Sequence, residues 1–238
     1  MNQMIFITGA DRGLGLALTK DFLDRGDIVF AGQFMEDWNE LAELKLLHQE
    51  HLFLIPLDVS DPESVMAAYH LVEEKTDKID ILINNAGISG SIGDITCLEN
   101  IERGMQIFQT NCLGPLCMVN TFLPLMMKEN TTKRLCFISS EAGSISVCHR
   151  EDGFVYPMSK AGLNMVVKLL FADLREQGFT FRLYNPGWMR SYMSGKKSVV
   201  GKIEPEESSK VAIDYFTKTL KHEDVLKMLD NNNMVWPF

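Results

Sequence analysis

Met4-Ile-Phe-Ile-Thr8-Gly9-Ala-Asp-Arg12-Gly13-Leu-Gly15, at the start of the chain, is the stretch whose reading decides the fold. The apolar run Met4–Ile7 reads as a short strand buried on both faces. A glycine-rich turn follows directly, and a helical pattern then runs from about residue 13 to 25. Dinucleotide-binding units open in this order. The glycines let the backbone turn tightly and approach a pyrophosphate, and the helix start offers free N–H groups and the positive end of the dipole. The spacing is G-x-x-x-G-x-G, not the better-known G-x-G-x-x-G. Such a turn can also be purely structural. Its place after the first strand of an α/β chain points to a nucleotide, with Gly9, Asp11, Arg12, Gly13, Leu14 and Gly15 as the contacting residues.

Outward from this stretch, short apolar runs alternate with helical patterns along the chain. Strands are expected at 4–8, 28–32, 52–57, 79–84, 134–139 and 180–184, and helices near 13–25, 36–48, 62–75, 100–128 and 155–177. Apolar strands of four to seven residues separated by helices indicate a mainly parallel sheet covered on both faces. No repeat and no Pro/Gly/Ser linker divides the 238 residues, so a single doubly wound α/β domain of Rossmann type spans 1–238. The alternation breaks at about 188–205, a polar, glycine-punctuated segment with large apolar side chains, expected to form a lid over a substrate. A helix is expected over 206–221. Residues 225–230 read as a final strand, with a short helix at 223–229 as the alternative.

Composition narrows the function. A net charge of −9 and a pI near 5.1 argue against a nucleic-acid footprint and give no help at anionic membranes. No apolar run reaches the roughly 18–20 residues of a membrane span, and no signal-peptide pattern opens the chain, so a cytoplasmic protein is expected. The cysteines (Cys97, Cys112, Cys117, Cys136 and Cys148) contain no C-x-x-C pair and read as reduced thiols. The histidines are scattered without ligand spacing, so no metal site is expected. The G-x-S-x-G elbow of a serine hydrolase is missing.

Candidate site residues fall at the carboxyl ends of the expected strands, where open α/β sheets bind ligands. Arg12 could reach a 2′-phosphate on the adenosine ribose, and Phe30–Phe34, ending strand two, lacks the carboxylate that NAD sites usually place there. NADP(H) is therefore favoured over NAD(H). Asp58, followed by Val59, could accept from an adenine amino group or merely brace the turn before Pro62. Asn84-Asn85-Ala86-Gly87 would let a ligand approach the backbone. Asn111, inside an apolar helical run, needs a specific partner. Ser139 and Ser140 end strand five. Tyr156 and Lys160, four apart on a helix, share a face; there a lysine lowers a phenol's pKa and makes it a usable proton donor.

In order and spacing these motifs resemble the short-chain dehydrogenase/reductase family, from the first strand to about residue 191. The resemblance implies Tyr156 as general acid/base and Lys160 as the group that lowers its pKa and holds the nicotinamide ribose. Ser140 would bind the substrate carbonyl, and Asn111 would anchor a relay water. Pro186, Gly187, Met189 and Ser191 would hold the carboxamide, Met189 and Ser191 replacing a valine and a threonine. The substrate implied is a small carbonyl or alcohol, and the apolar Met and Phe around the lid and the 145–155 loop suggest a moderately hydrophobic one. The apolar helices at 100–128 and 155–177 are where the family pairs into a homodimer or homotetramer. One departure stands out: Ser140 and Tyr156 are sixteen positions apart instead of thirteen, the extra residues falling in 147–153. That loop, the Gly187-Trp188 pair and the Trp236-Pro237 ending resemble the small carbonyl-reductase branch with C-factor-like and sniffer-like proteins. A catalytically weak nucleotide-binding regulator of the same fold is the competing expectation.

Overall fold

The side chains of the first strand, β1 (Met4–Ile7), set the layering. Ile5 and Ile7 enter one apolar cluster and Phe6 the other, so both faces of the strand are covered. The computed structural model describes residues 2–35, 38–98, 100–151, 153–193 and 197–238, with only the backbone of Cys97 and Leu98. After β1 come α1 (Gly13–Asp24), β2 (Ile28–Gln33), α2 (Glu40–Leu47), β3 (Leu52–Pro56), α3 (Pro62–Glu73) and β4 (Ile81–Asn84). A two-stranded ribbon, β5 (Gly93–Asp94) with β6 (Cys97–Leu98), precedes α4 (Ile101–Phe108) and α5 (Gly114–Met126). The chain then forms β7 (Arg134–Ile138), α6 (Val155–Leu174), β8 (Thr180–Asn185), α7 (Pro205–Thr217), β9 (Met228–Asp230) and β10 (Val235–Trp236).

The main sheet has the order β10-β9-β8-β7-β4-β1-β2-β3, and only β10 runs antiparallel to its neighbour. From β1 the chain winds outward to β2 and β3, then crosses back to β4. A crevice is thereby left at the carboxyl ends of β1 and β4. Residues of α3, α5 and α6 pack on one face with Phe6, Leu82, Phe137 and Leu183. Residues of α1, α2 and α7 pack on the other with Ile5, Ile83, Cys136 and Tyr184.

Several expectations shift. The helix expected over 100–128 is interrupted: a π-helical turn, Gln109–Leu113, separates α4 from α5. The first helix after β2 starts at Glu40 among the described residues, Glu36 and Asp37 lying outside them. The helix expected to reach 221 ends at Thr217, where Arg134 and Arg182 take the carbonyls of Phe216, Tyr215 and Lys218. The 223–229 alternative does not form; the chain turns and enters β9 at Met228. There the Asp230 carboxylate accepts from the Asn232 and Met234 amides and the Trp236 indole, which closes the last hairpin.

Candidate active site

The glycine turn is shaped by close approach. A Cβ on Gly9 (φ +62°) would stand 2.9 Å from Ala86 Cα, and one on Gly15 would stand 2.1 Å from the Gly9 carbonyl oxygen. Gly13 (φ +57°) is different: a Cβ there would meet nothing within 4 Å. Its backbone therefore faces open space, as a phosphate cradle must. The cap residue of α1, Arg12, makes no side-chain capping bond, so the first amides of the helix stay free for an anion. A dinucleotide pyrophosphate fits this donor set. Beside it, the Asp11 carboxylate accepts from the Phe34 amide, and the Arg12 guanidinium lies 5.1 Å from the centre of the Trp38 ring.

Thr8 and Asn85 strap the turn to the end of β4. Asn85 Nδ2 donates to the carbonyls of Thr8 (2.8 Å) and Gly9 (2.9 Å), and the amides of Asn85 and Ala86 donate to Thr8 Oγ1. Asp58 braces its own turn: Oδ1 accepts from the Ser60 amide (2.8 Å) and hydroxyl (2.6 Å). Asn111 sits fully buried in the π-turn, accepting from the Ile88 amide and donating to the Ile88 carbonyl and Ser159 Oγ. These bonds fix the strand β4 exit against α6. A Cβ on Gly87 would lie 3.4 Å from Asn111 Oδ1 and 3.7 Å from Lys160 Nζ, in ordinary contact with both, so Gly87 runs close beside them.

Ser139 and Ser140 leave β7 for a short 3-10 turn, Glu141–Gly143. Asn164 of α6 clamps that turn, accepting from Ser139 Oγ (2.6 Å) and donating to the Gly143 carbonyl (3.0 Å). The clamp brings Ser140 to the first turn of α6, where its hydroxyl acts on the Tyr156 phenol. Enclosure pushes the Tyr156 phenol up to about 12, although Ser140 works the other way. Burial likewise takes Lys160 down to about 8; its ammonium donates to the Ile138 carbonyl at 2.9 Å and lies 5.9 Å from the Tyr156 ring centre. In the ligand-free protein the phenol is thus raised by burial, not lowered as its spacing from Lys160 suggests. Tyr156 is protonated at neutral pH, the form a proton donor requires.

These elements enclose one cavity of about 420 Å³. Gly9, Asp11, Arg12, Gly13 and Leu14 line it from the turn, and Asp58, Val59, Asn85, Ala86 and Gly87 line it from β3 and β4. Tyr156 and Lys160 face it from α6, with Pro186, Met189 and Ser191 beyond β8. Gly15, Asn111, Ser140 and Gly187 are not in its wall; each holds a residue that is. Ser139, equally a turn cap by sequence, does line it. Tyr192 and Met193 of the expected lid also line it, as do Arg103 and Gln106 of α4, which were unforeseen from sequence. Arg103 carried no motif, and only the fold of α4 over β4 brings it to the cleft. Part of the expected lid, 194–196, lies outside the described residues. Around it, Glu204 takes Arg190 (2.7 Å) and Lys197 (2.9 Å). The described cysteines are free, with Cys112 and Cys136 buried and Cys148 exposed on the loop before Tyr156. His149 is exposed on the same loop. No group of metal-binding side chains and no helix long and apolar enough to cross a membrane occurs among the described residues.

A doubly wound sheet of Rossmann type thus carries a glycine cradle at its switch point, with Tyr156 and Lys160 across the cleft. Residues 3–199 match the short chain dehydrogenase family, and the chain belongs to the short-chain dehydrogenase/reductase family. It is 34% identical over 97% of its length to an uncharacterised oxidoreductase of Schizosaccharomyces pombe, covering 91% of that protein. Against the C-signal protein of Myxococcus xanthus it is 36% identical over half of this chain and 71% of that protein. The NADPH-bound carbonyl reductase from chicken fatty liver superposes with a TM-score of 0.85 at 27% identity, covering 100% of this chain and 99% of that one. The Sniffer carbonyl reductase of D. melanogaster gives 0.88 at 23% identity, with full coverage of both chains, and shares the fold.

Proposed function

We propose that this protein is an NADP(H)-dependent carbonyl reductase in which Tyr156 is the general acid. The observation that carries the reading is that Tyr156 and Lys160 wall the same cavity as the glycine turn, with Ser140 beside Tyr156. Gly9, Gly13 and the free amides of α1 would hold the pyrophosphate. Arg12 would pair with a 2′-phosphate, and the chicken reductase with NADPH bound supports that preference. The nicotinamide, when bound, supplies the hydride.

The chain's own groups then do the rest. Ser140 and Tyr156 orient the carbonyl oxygen, Tyr156 Oη gives it the proton, and Lys160 holds the ribose and favours the resulting phenolate. Asn111 keeps the backbone of Ile88 in place beside Lys160. The 188–205 segment serves as the lid, closing the cleft with Met189, Tyr192 and Met193 over a moderately hydrophobic carbonyl or alcohol. The free thiols suit a reducing compartment such as the cytoplasm. Exposed Met105, Leu113, Leu116, Met165 and Leu169 on α4 to α6 support pairing of chains there.

The test is NADPH oxidation against a panel of aldehydes, ketones and quinones, with NADH in parallel. Turnover of at least one carbonyl with NADPH preferred supports the reading. Silence across the panel while NADPH still binds would favour a nucleotide-binding regulator instead.

A further inference from the structure

The Ser140 hydroxyl is held on both sides: it donates its one proton to Glu141 Oε2 at 2.6 Å and accepts from the Ala142 amide at 3.1 Å. The other oxygen of Glu141 accepts from the Arg150 guanidinium, which makes no further hydrogen bond among the described residues. A bonded chain therefore runs from Ser140 through Glu141 to Arg150, and all three groups act on the Tyr156 phenol. We propose that Glu141 and Arg150 are positioning residues for the Ser140–Tyr156 pair: the carboxylate holds the serine hydroxyl until a carbonyl oxygen takes its proton, and the guanidinium cancels the carboxylate's charge beside the phenol.

Two physical points carry this. A bare carboxylate one hydroxyl away from a phenol opposes formation of the phenolate that proton transfer leaves behind, and a cation on that carboxylate removes the opposition. The pair is also poorly suited to a stabilising role, because both side chains are more than two-fifths exposed, and such ion pairs contribute little to folding. Burial would raise the Glu141 carboxyl, yet its bonds to Ser140 and Arg150 hold it below the ordinary range, so it stays charged at neutral pH. The charged groups facing the phenol are Lys160 from α6, Glu141 from the turn after β7 and Arg150 from the loop. Arg150 belongs to the 147–153 segment that makes the Ser140–Tyr156 interval long, so the added length has a use: it returns a cation to the carboxylate.

The inference rests on Tyr156 as the acid, and its test separates the two. The pH dependence of kcat/KM for alcohol oxidation, which needs the phenolate, is compared in wild type, Arg150→Gln, Arg150→Lys, Glu141→Gln and the Glu141→Gln/Arg150→Gln double variant. Arg150→Gln is expected to displace the phenolate limb to higher pH by about half a unit or more, with the affinity for NADP(H) unchanged. Arg150→Lys keeps the charge and restores the limb, and the double variant returns toward wild type because no carboxylate remains to be cancelled. A limb unmoved in Arg150→Gln, or as far displaced in the double variant, overturns the proposal. If no alcohol or ketone is turned over, the Tyr156 titration is read directly. Phenolate absorbance after a pH jump is recorded for each variant and corrected by the same variant carrying Tyr156→Phe. The same ordering of midpoints then supports the pair while the catalytic reading fails.

Discussion

Arg12 and Tyr156 stand at opposite ends of the cleft, and each makes a quantitative demand. With its guanidinium beside the cavity and no carboxylate partner among the described residues, Arg12 should act on NADPH and not on NADH. Arg12→Ala is expected to weaken NADPH about tenfold or more, from the loss of charge-assisted bonds, and to leave NADH unchanged in fluorescence titrations. A phenol near 12 and a lysine near 8 give opposite pH profiles. Carbonyl reduction needs the protonated phenol and should hold level up to about pH 7 and fall with a midpoint near 8, as the Lys160 charge is lost. Alcohol oxidation needs the phenolate and should rise over the same range; stopped-flow rates in both directions measure this. Tyr156 and Lys160 were legible because their spacing is local. Glu141, Arg150 and Asn164 were not, since their contacts join a strand exit, a loop and a helix that only the fold assembles.

The elements that matter most are the turn before α1 and the interruption between α4 and α5. The two inner glycines of the turn should respond differently to alanine. At Gly15 a methyl would meet the Gly9 carbonyl at 2.1 Å, backbone that cannot yield cheaply, so Gly15→Ala should abolish NADPH binding and lower the melting temperature. At Gly13 the methyl meets open space but φ is +57°, so Gly13→Ala should cost about 1–2 kcal/mol of backbone strain. It should also weaken NADPH by intruding on the cradle. Calorimetry with NADPH and thermal melts distinguish the two. The turn was readable because strand, glycines and helix follow in sequence. The π-turn was not: an apolar pattern from 100 to 128 has the same character whether or not one extra residue is looped in. That residue turns Asn111 toward Ile88 and Ser159, a frequent feature of functional helices.

Across the whole molecule the parallel sheet was visible as six apolar runs, whereas at its last edge 225–230 read as strand or short helix and Val235–Trp236 only as an apolar tail. Val225–Asp230 is too short and mixed to separate strand from helix by pattern. What settles it is Asp230 gathering the hairpin and a buried Arg182 joining β8 to the end of α7. The Arg182 side chain is fully enclosed, pairs with both oxygens of Glu223 at 2.7 Å and donates to two carbonyls at the end of α7. Arg182→Met should therefore cost about 3 kcal/mol or more in denaturant unfolding, since it orphans those carbonyls and a half-buried carboxylate. Burial raises the Glu223 carboxyl, but its Arg182 bonds prevail and hold it below its ordinary 4.5. It contributes stability above that pH that is lost as pH falls through the folded value, so Glu223→Gln should flatten the acid limb of the stability curve. The central claim is that this fold delivers a proton from Tyr156 to a carbonyl opposite the glycine turn. The most direct measurement is turnover of a reducible carbonyl by Tyr156→Phe, with NADPH affinity measured in the same preparation. Removal of a general acid is typically worth about 10²–10⁴ in rate, so a loss of that size with unchanged NADPH affinity is expected. Wild-type turnover in the Phe variant would contradict it.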